Sequence, residues 1–286
     1  SFAAGFGAIF YNEISAKMFT KDYLGFTMGY RQFFASLGSI VSGVFAGFVL
    51  ERFSPPFSFG YLFIISSLFM GIGLLAFSTV KEPVKERVAK KEKSFKKFIK
   101  NALLFLKSDD NLKNQILSRF FANGYLTALP FIILQAKEKI SLGGGDIAIL
   151  ITSQMVGSML SNILWGKLSF KKRNKEIIIL SLLILIFVMI FANFCFFIYQ
   201  YAILFFLMGA AIDGMRLGFG NLIMIISPQE FRPTYIALQV NISSLGLLFS
   251  VLGGFIVKIG YLWLYLLSLF LLCLALYFIL RLRVRI

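Results

Sequence analysis

Apolar residues run along this chain in blocks of about twenty, separated by short breaks of Gly, Pro and charged residues. A helix of that length crosses the hydrocarbon core of a bilayer. The pattern predicts spans at 1–16, 24–50, 59–79, 114–136, 146–166, 176–194, 199–226, 234–257 and 261–281. Ser54-Pro55-Pro56, Glu82-Pro83, Gly143-Gly144-Gly145, Ser227-Pro228 and Gly260 mark the gaps. The expected class is an all-α integral membrane protein with about nine transmembrane helices.

Residues 81–113 break the pattern, being polar and rich in Lys. Within them Phe95, Phe98, Ile99, Ala102, Phe105 and Leu106 recur at helical spacing, with Lys96, Lys97, Lys100 and Lys107 between. That is a basic amphipathic helix suited to a membrane surface. A solvated linker helix is the plainer alternative.

Composition narrows the class further. Of 286 residues, 58% are hydrophobic and 15% charged, against roughly 45–50% and 25% in a soluble domain. An aqueous surface cannot absorb that excess, whereas lipid can. The 35 Phe fit the same solvent.

The net charge of +16 would suit nucleic acid if it formed one face. Instead 22 of the 29 bases fall on one set of alternate loops and the C-terminal tail, and four on the other set. This asymmetry predicts orientation, because cytoplasmic loops carry the excess Lys and Arg. The C-terminus and the 81–113 loop are therefore expected in the cytoplasm, and the cytoplasmic (inner) membrane is the expected site. The partners expected are the lipid bilayer and a small-molecule solute, not nucleic acid, and the protein is expected to be a monomer.

The same alternation places Ser1 outside. Ser1–Ile14 is apolar without a basic flank, so it reads as the end of a membrane helix and not as a signal peptide. The simplest expectation is a fragment that lacks earlier spans.

The chain has no His and two Cys, Cys195 and Cys273, without metal-ligand spacing. No metal site, no cofactor and no enzymatic activity are expected, beyond a coupling proton or sodium ion.

The chain also resembles itself. Gly5-Phe6-Gly7 recurs as Gly218-Phe219-Gly220, Ser36-Leu37-Gly38 as Ser244-Leu245-Gly246, Gly47-Phe48 as Gly254-Phe255, and Gly60-Tyr61-Leu62-Phe63 as Gly260-Tyr261-Leu262-Trp263. The order is kept and each copy covers three spans, so the repeat is parallel. Two bundles of six follow once three spans are restored before Ser1, an architecture seen in major facilitator transporters.

On this ground the whole chain resembles the major facilitator superfamily. Gly166-Lys167-Leu168-Ser169-Phe170-Lys171-Lys172-Arg173 is similar to the family's basic loop between spans 8 and 9, with Phe170 where the family has Asp. Asn12-Glu13, Lys21-Asp22 and Arg31-Gln32 look like its span 4–5 connection. The resemblance implies spans 4–12 of a two-bundle fold. Residues 1–80 would end the first bundle, 81–113 would link, and 114–286 would form the six-helix second bundle. It implies a secondary active transporter that moves a small solute by alternating access. A receptor or scaffold with a transporter-like fold is the alternative, and a membrane-embedded enzyme a more distant one.

Ionisable residues inside spans are costly and mark function by default. Asp213 and Arg216 lie at i and i+3 on one face. They form either a substrate or coupling-ion site, with Asp213 as proton acceptor, or a self-neutralising pair. Asn123 and Tyr125, near Pro130, are either substrate contacts or part of an ordinary kink. Gln154, Gln239 and Asn241 are weaker binding candidates, with interhelical hydrogen bonding as the alternative. Gating candidates are Glu13, Arg31, Gly166, Lys171 and Arg173. Gly38, Gly43, Gly47, Gly246, Gly253 and Gly254 are expected at close helix contacts.

Overall fold

The computed structural model describes residues 14, 18–19, 21–54, 56–80, 104–140, 142 and 144–283. The first expected span apart from residue 14, Glu13 included, and residues 81–103 of the linker lie outside these. Eight stretches among the described residues are long and apolar enough to cross a membrane, and they coincide with the remaining eight predicted spans. Every regular element among the described residues is helical.

The helices are α1 (Lys21–Arg52), α2 (Phe57–Ser78), α3 (Asp110–Ala122), α4 (Leu129–Ile140), α5 (Gly144–Phe170), α6 (Asn174–Phe191), α7 (Ile198–Ile226), α8 (Arg232–Ser244), α9 (Phe249–Ile256) and α10 (Tyr261–Arg281). Asp109 starts α3 by accepting from the backbone N–H groups of Asn111 and Leu112 at 2.9 and 3.0 Å. Its other oxygen accepts from Tyr235 Oη at 2.8 Å, which ties α3 to α8.

Two spans are interrupted. A 3-10 segment, Asn123–Thr127, joins α3 to α4, and another, Leu245–Leu248, joins α8 to α9. The first has a local cause. Pro130 has no N–H, and its ring clashes with the carbonyl four residues back, at Leu126. The second contains no proline. There Gly246 sits on the first break: a Cβ would lie 2.8 Å from Asn123 Nδ2 and from the Phe120 carbonyl. The two breaks touch at one depth, and Asn123 Nδ2 donates to the Ser243 carbonyl at 2.8 Å.

One core joins α4, α6, α7 and α10 through Ile132, Leu182, Leu185, Phe205, Met208, Leu272 and Ala275. A second lies toward the basic loops and includes Leu112, Ile116, Trp165, Ile177, Leu217 and Ile236. Met28 brings α1 into it. α2 buries only Ser58, and its apolar side chains face outward, as lipid permits.

Of the glycines expected at close contacts, Gly246 and Gly253 are packed, the latter against the Thr127 carbonyl. Gly38, Gly43, Gly47 and Gly254 face open space among the described residues. In α1 the close approach occurs at Gly29, where a Cβ would fall 2.4 Å from Gly166 Cα.

Candidate functional site

Helix spacing prepares three faces. Gly29, Gln32, Ser36 and Ser39 share one side of α1. Ser158, Asn162 and Gly166 share one side of α5, and Gly209, Asp213 and Arg216 one side of α7. Side-chain-free glycines then let the backbones meet. A Cβ at Gly209 would lie 1.9 Å from the Gln154 carbonyl oxygen, and one at Gly157 2.0 Å from that of Phe206. α5 and α7 are thus in backbone contact, while α1 crosses α5 at Gly29 and Gly166.

These contacts close a polar network around Asp213. Its carboxylate Oδ2 accepts from Asn162 Nδ2 at 2.8 Å and from Ser158 Oγ. Its Oδ1 faces Arg216 Nη1 at 3.2 Å. Gln32 Nε2 donates to Asn162 Oδ1 at 2.8 Å and to the Asp213 carbonyl at 3.2 Å. The hydroxyls of Ser36 and Ser158 are 2.9 Å apart, and either can donate. A carboxylate in a membrane span is stable only when paired and hydrogen-bonded, and here three donors converge on it from α5 and α7. Through Asn162 and Ser158 the same network reaches α1.

The Asp213 side chain is 7% exposed, whereas that of Arg216 is 63% exposed. The guanidinium borders a cavity of about 310 Å³ also lined by Ser36, Ser39, Gln154, Met155 and Ser158. Gln154 therefore reaches the site by its position on the cavity wall. Tyr125 lies half-buried in the first 3-10 break and does not line this cavity.

The other candidates lie elsewhere. Asn123 joins the two 3-10 breaks. Gln239 is buried and donates to the Phe219 carbonyl at 3.2 Å, an interhelical role. Asn241 is exposed outside this cavity. Among the gating candidates, Gly166 is the α1 crossing point, and Arg31 is exposed on α1. Arg173 Nε donates to Glu176 Oε1 at 2.8 Å, so its partner is in its own turn. Lys171 is exposed beside it.

Phe170, which stands where the resemblance expects Asp, has an aromatic role instead. Its ring meets Tyr23 and Phe26 of α1 edge-on, with centroids 5.8 and 5.9 Å apart. At this loop an apolar contact takes the place of a charged one.

Sequence reasoning passed over Ser36, Ser158 and Asn162 as site residues, and placed Gln32 with Arg31 in the span 4–5 connection and not beside Asp213. The signal was their helical spacing inside apolar blocks, where each polar side chain needs a partner. Arg119, inside the span formed by α3 and α4, was also passed over. It has no carboxylate partner among the described residues.

The profile of the Major Facilitator Superfamily matches residues 1–135 and 114–285. Among solved structures, the chain is similar to the major facilitator transporter FucP in the outward conformation. The TM-score is 0.70 at 16% identity, over 96% of this chain and 72% of that one. It is also similar to a substituted form of the Escherichia coli fucose:proton symporter FucP, with a TM-score of 0.68 at 16% identity and the same coverage. No curated protein sequence matches. At this identity the solved structures speak for the fold, while the family profile spans nearly every residue. The chain therefore belongs to the Major Facilitator Superfamily and is a multi-pass secondary active transporter of a small solute.

Proposed function

We propose that transport is coupled to protons and that Asp213 carries the coupling proton. The observation behind this reading is the position of its carboxylate, which joins α7 to α5 and, through Asn162 and Ser158, to α1. Protonation removes the charge that Asn162, Ser158 and Arg216 share. The new O–H must donate, and Ser158 can accept by turning its own hydroxyl toward Ser36. The network therefore has a hydrogen-bond pattern for each protonation state, and the protonated one grips α5 and Arg216 less strongly. A sodium ion would instead have to displace donors already seated on both carboxylate oxygens.

In this reading the α1–α5 crossing is the contact that alternating access makes and breaks. Residues 1–80 and 114–286 move as two bundles joined by the 81–113 linker. The basic loops and the C-terminus face the cytoplasm, so the Gly29–Gly166 crossing closes the cytoplasmic half of the pathway. The family's usual architecture supports this division, and the charge asymmetry supports the orientation.

Trp165 supplies a test that needs no substrate. Its Nε1 donates to the Ala210 carbonyl at 2.9 Å, and its ring lies against Gly214, next to Asp213. In full-length protein in which every tryptophan but Trp165 is replaced by Phe, Trp263 among them, Trp165 fluorescence should change as pH is lowered, and Asp213→Asn should flatten that titration. An Asp213→Asn titration identical to the parent's would sink the reading.

A further inference from the structure

We infer that the solute carries a single anionic group, a carboxylate, and that Arg216 binds it in the cavity between α1, α5 and α7. This deepens the proposal above and rests on it for the cavity's role in transport.

The argument begins with the unequal burial of the two charges. Asp213 is 7% exposed and Arg216 is 63% exposed. A solute in the cavity meets a guanidinium, while the carboxylate behind it is occupied by Asn162 and Ser158. A cationic solute would face repulsion, with no acid among the described lining residues free to receive it. Asp213 and Arg216 are the charged residues of this lining.

Arg216 is also incompletely used. A guanidinium has five N–H donors, and among the described residues this one meets Asp213, through Nη1 at 3.2 Å. At membrane depth such a cation is costly without further acceptors, and a carboxylate offers two oxygens that match its fork. Ser39 and Gln154 on the facing walls can bond the rest of a small polar solute. The volume of about 310 Å³ lies at the small end of ligand pockets.

The same geometry links solute to proton. Asp213 and the solute's carboxylate compete for one guanidinium. Neutralising Asp213 frees Arg216 for the solute, so a proton and a carboxylate enter together and the pair is electrically balanced.

The test uses thermal unfolding of the full-length protein with matched probes: lactate against lactamide, glucuronate against glucose, and inorganic phosphate. A carboxylate should raise Tm where its neutral counterpart does not. Arg216→Gln should abolish this shift and Arg216→Lys should keep part of it. Asp213→Asn should tighten carboxylate binding about tenfold, because the internal competitor is gone. Equal shifts from charged and neutral partners would overturn the inference, as would stabilisation by phosphate alone, no stabilisation by either carboxylate, or an unchanged response in Arg216→Gln. These outcomes are separate from the Trp165 titration. A flat Asp213→Asn titration with no carboxylate preference keeps the proton and removes the anion. Carboxylate binding through Arg216 with an unaltered Asp213→Asn titration does the reverse.

Discussion

Replacing Gly29 with Ala should separate α1 from α5, and the structure sets the size of the effect. The new Cβ would lie 2.4 Å from Gly166 Cα, whereas carbon atoms rest at about 3.5–4.0 Å. Both atoms belong to helix backbones, so no rotamer change relieves the clash and the helices must part by about 1.1 Å. Gln32 and Asn162, now 2.8 Å apart, would pass beyond the usual limit of about 3.2 Å. The Ser36–Ser158 contact, 2.9 Å, would go with it. Two such bonds are worth about 1 kcal/mol each, which moves the ratio of parted to joined helices about thirtyfold. Gly166→Ala is the internal control. Its Cβ would lie 3.3 Å from Gly29 Cα, so a shift of a few tenths of an ångström suffices and both bonds survive. Spin labels at the exposed positions Phe34 and Ile163 would report the α1–α5 distance by pulsed paramagnetic resonance. If Gly29→Ala and Gly166→Ala give the same distance distribution, the crossing does not have this geometry.

Two further outcomes follow from packing and topology. Gly209→Ala should lower the yield of folded protein sharply, since its Cβ would lie 1.9 Å from the Gln154 carbonyl oxygen, whereas Gly220→Ala, with nothing within 4 Å, should be neutral or stabilising by up to about 1 kcal/mol; size-exclusion profiles of the two variants measure this, and equal profiles would refute the α5–α7 contact. Cysteines at the exposed positions Lys171 and Lys258 should react with an impermeant maleimide from opposite sides of the membrane in a Cys195- and Cys273-free background, and labelling of both from one side would reject the orientation.

The spans were legible because burial in lipid demands about twenty apolar residues regardless of what each helix packs against. The break before Pro130 was legible for a similar reason, since its cause is local. The break at Leu245–Leu248 was not, because it arises where Gly246 meets Asn123, more than a hundred residues away in sequence. Asp213 and Arg216 stood out because a charge inside a span is conspicuous. Their partners did not: Gln32 and Asn162 are each ordinary polar residues in an apolar helix, and only the antiparallel crossing of α1 and α5 brings them together. The self-similarity was equally partial. Ser36-Leu37-Gly38 and Ser244-Leu245-Gly246 match in letters, yet α1 runs straight through the first while the second begins a 3-10 segment. The sequence repeats, but the neighbours of each copy differ.

The paired 3-10 segments have a mechanical consequence. An α-helix advances about 100° and 1.5 Å per residue, and a 3-10 helix about 120° and 2.0 Å. Rewinding the five residues Asn123–Thr127 into α-helix would turn everything beyond them by about 100° and draw it in by about 2.5 Å. Each interrupted span is therefore a screw joint at mid-membrane: a change of winding in one short stretch swings α4 about its axis while α3 stays capped on Asp109. Because Leu245–Leu248 touches Asn123–Thr127, rewinding either stretch would have to displace the contact of Gly246 with Asn123 and the Asn123–Ser243 hydrogen bond.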